Sequence, residues 1–446
     1  MTLAMYKKDR IKPYSVQNGI LWLGIFVGIA LLPLAIAYLG PLPPSRPFLE
    51  EFGVALGFIG LSLFGLQFLF SGRIKKVAPP FGVDNVVQFH KEIGVIAILF
   101  SLAHPIFLLI ADWDYIRFFD PGVNFPRAIA LVAATISMIA LLVTSLWRLS
   151  FGLSYEVWRL IHGVLGFLVV FVGVVHSVQV GHYLDGLEKV IPFVVFFTAL
   201  TYLLAHTRLV RPYRNKKKPY VVREVIPQRD DCYTLILGAK DHSGMTFEPG
   251  QFVWITIKSS PFSLQQHPFS FSGSALKPHV AITAKQLGDF TDTWDTIEVG
   301  QLAFLEGPFG SFTLKDRPCF FVMGGIGVTP AISILRTLSD LSDKRECVLI
   351  YGNIGWEKIP FREELERLEK AVNLKTVHIL EKPKDGWEGE KGLIDADIIR
   401  KYLPKHKDQF DYYICGPEPM MDVAELTIRK AGIPWNQVYA ERFDLA

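Results

Sequence analysis

HKEIGVIAILFSLAH at residues 90–104 and HGVLGFLVVFVGVVH at residues 162–176 are both helix-length apolar runs, each closed by a histidine at both ends. Each spacing is fourteen residues, which on an α-helix is about 3.9 turns and a rise of about 21 Å. Each pair therefore falls on nearly one face, at two depths. The two runs belong to a series of six apolar segments, 20–39, 53–71, 93–111, 128–147, 160–180 and 190–205. All but the last, which is short, approach the roughly 20 residues that a bilayer core requires. The third and fifth segments run in the same direction, so His90 can meet His162 near one surface and His104 can meet His176 near the other. Imidazole is an axial ligand of haem iron, and a polar ring at membrane depth needs a partner. A lone histidine finds one by bonding a neighbouring helix; two equal spacings in two parallel helices point to two stacked bis-imidazole haem sites. Gly94, Gly163, Gly166 and Gly173 remove side chains from these helices, to admit a flat cofactor or to let helices pack closely. His182 and His206 lack such partners in the pattern and read as interfacial.

The composition agrees. Half of the 446 residues are apolar and a fifth are charged, which excludes disorder, a fibre and an ordinary soluble enzyme. The net charge of +3 gives no argument for nucleic acid. The average hides a split between residues 1–206, nearly all apolar runs, and 207–446, which read like a soluble α/β protein. Cys232, Cys319, Cys347 and Cys415 all lie in the second half, none at C-x-x-C spacing. They argue for reduced cytosolic thiols rather than zinc, a plant-type iron–sulfur cluster or disulfides. Sixteen Lys and Arg flank one side of the apolar series and four the other. The positive-inside bias then puts both termini and the second half in the cytoplasm. Lys7, Lys8 and Arg10 ahead of a run ending in Ala35-Ile36-Ala37 also resemble a signal peptide, but that run is long enough to span.

In the second half, segments 220–226, 232–239, 251–257, 269–273, 279–285 and 301–306 read as short strands of a small antiparallel barrel. From about residue 318 the pattern changes. Pro318 to Met323 is a buried strand, and Gly324-Gly325-Ile326-Gly327-Val328-Thr329-Pro330 turns it into a helix. Strand–helix alternation then continues through 346–351, 361–371, 374–379, 394–402, 410–415 and 418–431, a parallel doubly wound pattern. A Gly-rich turn at the first strand-to-helix crossing cradles phosphate on backbone amides, and dinucleotides bind at the carboxyl ends of such strands.

These motifs together resemble a family. HKEIG with AHP at 90–105, and RLIHG with the second histidine at 159–176, are similar to the haem helices of the ferric reductase and NADPH oxidase superfamily. The second half resembles the ferredoxin–NADP reductase type of flavin module. The resemblance implies a six-helix haem-binding membrane bundle over residues 1–207. An FAD-binding antiparallel β-barrel follows at 214–315, and an α/β doubly wound NAD(P)-binding domain at 316–446. It implies two haem b groups on His90, His104, His162 and His176. His267-Pro268-Phe269-Ser270 matches the flavin motif, with Phe269 near the isoalloxazine and Ser270 bonding it. Lys285, Gly288 and Thr291 fall in the diphosphate segment. Gly325, Gly327, Thr329 and Pro330 match the pyridine-dinucleotide turn, and Cys415, Gly416 and Pro417 the nicotinamide-side loop. Phe443 is the candidate to cover the flavin. No arginine follows the strand at 346–351 to grip a 2′-phosphate, and Lys358 reaches one only if its loop folds back, so NADH and NADPH both remain.

The implied activity is a transmembrane relay in the plasma membrane, from cytoplasmic NAD(P)H through FAD and two haems to an external acceptor. No acid, base or nucleophile is required of the bundle. A ferric chelate is the first expectation for the acceptor. The alternatives are dioxygen, giving superoxide, and a partner protein fed by an electron-delivery module. The aromatic segment Asp112–Asp120 is placed to shield the second haem, to dock the acceptor, or simply to anchor at the interface.

Overall fold

The computed structural model describes residues 16–73, 82–257 and 260–442. Val16–Arg211 forms one compact unit, and the chain from Pro212 onward belongs to another.

The first unit is helical: α1 (Val16–Ala37), α2 (Phe48–Phe70), α3 (Gly82–Ala111), α4 (Phe125–Leu146), α5 (Tyr155–Val180) and α6 (Leu187–Ala205). Among the described residues these six are long and apolar enough to cross a membrane. Two of their starts carry side-chain caps. The Asn124 side chain accepts from the amide of Arg127 ahead of α4, and Ser154 accepts from Val157 ahead of α5. Gly181 ends α5 with φ +67°, the left-handed cap that glycine adopts without strain. α2 is the centre of the bundle, packed by α1, α3, α5 and α6, with Leu61, Phe64, Leu66 and Phe68 all buried.

Helix ends depart from the expected segments. α3 begins at Gly82 rather than 93, and α5 at Tyr155 rather than 160. Hydropathy marks the bilayer-length window, whereas a helix runs on through polar turns. α6 likewise continues through a π-turn at His206–Val210 into α7 (Arg211–Lys216). Between α3 and α4 the chain forms a 3₁₀ segment, Trp113–Phe119.

The second unit holds two sheets. The strands β1 (Tyr220–Pro227), β2 (Cys232–Ala239), β3 (Phe252–Ile257), β4 (His267–Ser270), β5 (Val280–Lys285) and β6 (Leu302–Phe309) form the first. Its order is β4-β3-β6-β1-β2-β5, and its ladders are antiparallel. Phe271, just past β4, bridges Ile282 of β5, so the two edges meet and the sheet curls into a barrel around Leu235, Val253, Phe271 and Trp294.

The second sheet contains β7 (Cys319–Gly324), β8 (Cys347–Asn353), β9 (Leu374–Leu380), β10 (Glu390–Lys391), β11 (Asp411–Cys415) and β12 (Val438–Ala440). It is parallel, in the order β10-β9-β8-β7-β11-β12. Every residue of β7 and of β11 is buried, as a parallel strand covered on both faces requires. Helices α8 (Thr329–Asp340), α9 (Arg362–Ala371), α10 (Ala396–Tyr402) and α11 (Glu418–Lys430) supply the cover. The barrel and the parallel sheet are tied together. Ser333 Oγ donates to the Gly273 carbonyl at 2.7 Å, and Arg336 Nη1 to the Ser272 carbonyl at 2.8 Å.

Candidate functional site

Within the bundle, α3 and α5 bring His90 and His162 together, with ring centres 6.1 Å apart and planes at 57°. Two imidazoles bonded to one metal from opposite sides at about 2 Å each, with about 1.1 Å from nitrogen to ring centre, stand roughly 6 Å apart. The pair therefore fits a bis-imidazole haem. Ser145 Oγ lies 3.3 Å from His162 Nδ1. His90 Nδ1 is buried with no hydrogen-bond partner among the described residues. A Cβ on Gly94, Gly163 or Gly166 would meet nothing within 4 Å, so these glycines border open space. Gly173 differs: a Cβ there would come within 2.5 Å of Leu61 Cδ1, so its role is close packing of α5 on α2.

His104 and His176 line one cavity at the other level. His104 Nδ1 lies 2.9 Å from the Gly53 carbonyl. A carbonyl only accepts, so Nδ1 carries the proton and Nε2 keeps its lone pair, the arrangement that orients a metal-ligating histidine. The approach depends on glycine, since a Cβ on Gly57 would meet that same ring nitrogen at 2.8 Å. His176 Nδ1 is buried and unpartnered among the described residues, and the edge of Phe118 stands against its ring at 6.0 Å. Among the described residues no group of three or more His, Cys, Asp or Glu is arranged for a metal ion. Two imidazoles at each level are the donor set that a bis-imidazole haem would use.

The cavity's walls also include Arg46, Tyr115, Phe118, Phe119, His182 and Tyr183. Three of these come from the aromatic 112–120 segment. Burial and the bond to Glu50 push the Tyr115 phenol up to about 12. Burial, assisted by Arg46, lowers His182. Sequence reasoning singled out neither Glu50 nor Glu51, which hold the two tyrosines; two acids at the head of an apolar helix were the only signal.

In the barrel, His267, Pro268, Phe269 and Ser270 form β4 and pair with Ile255, Trp254, Val253 and Phe252 of β3. Ser270 Oγ donates to Glu441 Oε2 at 3.3 Å, and both residues are buried. Phe269 packs beside Trp294 (5.1 Å) and Phe290 (6.0 Å), and His267 stacks on Phe290 at 4.4 Å. Gly288 takes φ +95°, and Thr291 Oγ1 accepts from the Leu287 amide at 2.9 Å, so this segment is a preformed turn. Lys285 Nζ is paired with Asp230 Oδ2 at 2.5 Å, and Lys358 lies 3.7 Å from the same carboxylate. Lys358 is thus directed at the β1–β2 turn. Glu441 was not anticipated, because a buried carboxylate near a chain end leaves no periodic trace. Phe443 lies outside the described residues.

In the parallel sheet, the Gly325–Pro330 turn follows β7, Cys415 ends β11 and Gly416-Pro417 follow it, and these strands are neighbours. The two loops touch. A Cβ on Gly327 would meet the Cys415 carbonyl at 2.7 Å, and one on Gly416 would meet the Gly324 amide at 2.9 Å. Tyr351 supports the turn by donating to the Gly325 carbonyl at 2.9 Å. Thr329 and Pro330 open α8, whose first amides face the carboxyl edge of the sheet, where phosphate is bound in such folds.

Three family models match in series. Residues 56–173 match the ferric reductase like transmembrane component, 224–302 an FAD-binding domain and 321–425 an oxidoreductase NAD-binding domain. The chain is therefore a membrane-embedded oxidoreductase with FAD- and NAD-binding domains. This combination matches the ferric reductase and NADPH oxidase superfamily. Among curated proteins, the reductase component of propane 2-monooxygenase from Rhodococcus jostii is 27% identical over 50% of this chain and 62% of its own length. The same component from Mycolicibacterium smegmatis is 27% identical over 50% of this chain and 66% of its own length, so the chain spans under two thirds of either. NADH-cytochrome b5 reductase 1 of Dictyostelium discoideum is 34% identical over 29% of this chain and 47% of its own. Among solved structures, the FAD/NAD-binding domain of a nitric oxide dioxygenase from Vibrio cholerae aligns with 51% of this chain and 98% of its own at 20% identity and a TM-score of 0.45.

Proposed function

We propose that this protein is a transmembrane NAD(P)H oxidoreductase carrying FAD and two haem b groups. In this reading it passes electrons from cytoplasmic NAD(P)H to an acceptor on the outer side of the plasma membrane. The observation that carries the haem reading is the 6.1 Å separation of the His90 and His162 rings, on the two helices that also bring His104 and His176 to one cavity. The division is into a haem bundle (1–207), a flavin barrel (214–315) and a nucleotide domain (316–446).

When bound, the flavin and the haems supply the conversion of a hydride into single electrons and their relay across the bilayer. The protein's own part is to position and to insulate. Gly325 and Gly327, with Thr329 and Pro330 at the head of α8, hold the dinucleotide phosphates. Cys415, Gly416 and Pro417 border the nicotinamide. His267 to Ser270 would line the flavin and Lys285, Gly288 and Thr291 its diphosphate, with the Ser270 hydroxyl held in place by Glu441. His90 with His162 and His104 with His176 hold the two haems, and the Gly53 carbonyl keeps Nε2 of His104 free for its metal.

A ferric chelate is the acceptor this reading places first. Dioxygen is the second, favoured by one observation: Tyr115, Phe118, Phe119 and Tyr183 stand around the His104 cavity and oppose a bulky acceptor more than a small one. The test is a visible spectrum of the purified protein, followed by turnover with ferric citrate in air and without oxygen. Two b-type haems and NAD(P)H-driven iron reduction that persists without oxygen support the first acceptor. Superoxide formation with negligible anaerobic iron reduction supports the second. A spectrum without haem overturns the relay.

A further inference from the structure

The first turn of α2 carries two adjacent carboxylates, and each holds a tyrosine from a different loop. Glu50 Oε2 accepts from the Tyr115 hydroxyl at 2.6 Å. Glu51 Oε2 accepts from the Tyr183 hydroxyl, while its Oε1 accepts from the Arg46 amide at 2.9 Å. Arg46 Nε stands 4.0 Å from Glu50, between the two bonds. Tyr115 belongs to the 3₁₀ segment between α3 and α4, and Tyr183 to the turn between α5 and α6. These two loops bring Tyr115, Phe118, Phe119, His182 and Tyr183 to the cavity that contains His104 and His176. Two neighbouring side chains on one helix therefore tether both loops at the same end of the bundle.

Each loop is braced elsewhere as well. Arg127 donates to the Arg117 carbonyl at 3.2 Å and lies over the Phe118 ring at 4.3 Å. Tyr38 stacks on Tyr183 at 5.4 Å. Lys189, fully buried, donates to the Pro41 carbonyl at 2.8 Å and pairs with Asp185 at 2.9 Å. With these braces in place, loss of a tyrosine bond is expected to loosen a loop without unfolding it. A phenol on a carboxylate is a charge-assisted bond, stronger than a neutral one. Among the described residues, the Tyr115–Glu50 and Tyr183–Glu51 bonds join both loops to the first turn of α2, beside the cavity of His104 and His176.

We propose that the Tyr115–Glu50 and Tyr183–Glu51 bonds are paired latches on the two loops beside the His104–His176 cavity: while both hold, a small acceptor reaches the rim of that cavity, and a bulky ferric chelate is reduced there once they open. This rests on the reading that the acceptor is reduced at this cavity, and it adds what decides among acceptors. Tyr115 and Tyr183 are positioning residues. They transfer nothing to the acceptor and act through the loops they hold.

The test uses the full-length protein with Tyr115→Phe, Tyr183→Phe and the double change, each removing only a hydroxyl. Glu50→Gln and Glu51→Gln serve as second variants that keep an acceptor oxygen but no charge. NAD(P)H-driven reduction is measured with dioxygen and with ferric EDTA. The double variant is expected to raise ferric EDTA reduction relative to dioxygen by about tenfold, mainly through KM, the glutamines by less. A second readout needs no electron transfer. Leu109→Cys places a thiol on the cavity wall near the loop end of α3, and its labelling is compared for a small methanethiosulfonate and a bulky maleimide. Latch loss should raise the bulky rate about tenfold and leave the small rate within about twofold. A parent that reduces no acceptor, with labelling that still shifts, refutes the acceptor reading and leaves the latches standing. Folded variants in which neither the acceptor ratio nor the labelling ratio moves overturn the latches.

Discussion

His90 and His162, seventy-two positions apart in the sequence, face one another with ring centres 6.1 Å apart. Their helix partners fourteen residues on, His104 and His176, share a separate cavity. Haem loss should therefore come in pairs across helices rather than along them. His90→Ala and His162→Ala should each remove the same spectral component, and His104→Ala and His176→Ala the other. Redox titration of the visible spectrum reads this directly, with roughly half the haem absorbance lost each time, as two bis-imidazole sites require. Loss of one and the same component in His90→Ala and His104→Ala would contradict the pairing.

Ser270 and Glu441 make the next prediction. Their 3.3 Å bond is buried between β4 and the end of β12. Ser270→Ala should leave FAD bound but slow flavin reduction by NAD(P)H about tenfold or more, since one lost charge-assisted hydrogen bond is worth about 1.5–3 kcal/mol. Glu441→Gln should slow it less. Stopped-flow bleaching of the flavin measures both, and an undiminished rate in Ser270→Ala would remove that hydroxyl from the reaction.

How much of this was legible in the sequence depended on separation along the chain. The histidine pattern could be read because spacing within one helix is a local property. The glycine turn after β7 could be read because strand, turn and helix are consecutive. Tyr115 and Glu50 are 65 residues apart, Tyr183 and Glu51 132, and Ser270 and Glu441 171. No periodicity connects such positions; the fold brings them together. Lys285 shows the reverse. Its place in the strand pattern was readable, but its pairing with Asp230 depends on how the β1–β2 turn folds. β10 and β12, of two and three residues, were missed because so few residues carry no alternation.

Asp411 supplies a pH prediction. It begins β11, buried, in register with Cys319, which is in turn in register with Cys347. Its Oδ2 has no hydrogen-bond partner among the described residues. Burial raises its carboxyl from an ordinary 3.8 to about 6, against the pull of Arg317, Lys315 and Arg345. The sign follows from proton counts. Between pH about 4 and 6 the folded state holds a proton that the unfolded state has released, so stability falls as pH rises through that window and then levels. The cost at neutral pH is of order 3 kcal/mol, from about 1.4 kcal/mol per pKa unit. Asp411→Asn should therefore raise the melting temperature of this unit by about 5 °C at pH 8 and change it little at pH 4. Equal shifts at both pH values would mean that the carboxyl is not the source.

Direction across the membrane is the remaining prediction. Among the described residues six helices are long and apolar enough to span, an even number that would put the segment before α1 and the segment after α6 on one side. Sixteen basic residues flank the segments on that side and four flank the other, a bias that in membrane proteins marks the cytoplasm. The proposed relay then expects the dinucleotide domains, which follow α7, on the basic side. His104 and His176 lie about 21 Å of helix rise beyond His90 and His162. Electrons entering at the basic side and leaving at the far cavity cross most of the bilayer, so turnover should be electrogenic, with protons from NAD(P)H left behind. In sealed vesicles with the basic face outward, added NAD(P)H should reduce an impermeant acceptor trapped in the lumen. A potential opposing the transfer should slow it, since each charge moved against 100 mV costs about 2.3 kcal/mol. Acceptor reduction confined to the nucleotide side, with no response to potential, would mean that the two histidine levels do not form a wire. The bundle would then serve to hold a flavin reductase at the membrane.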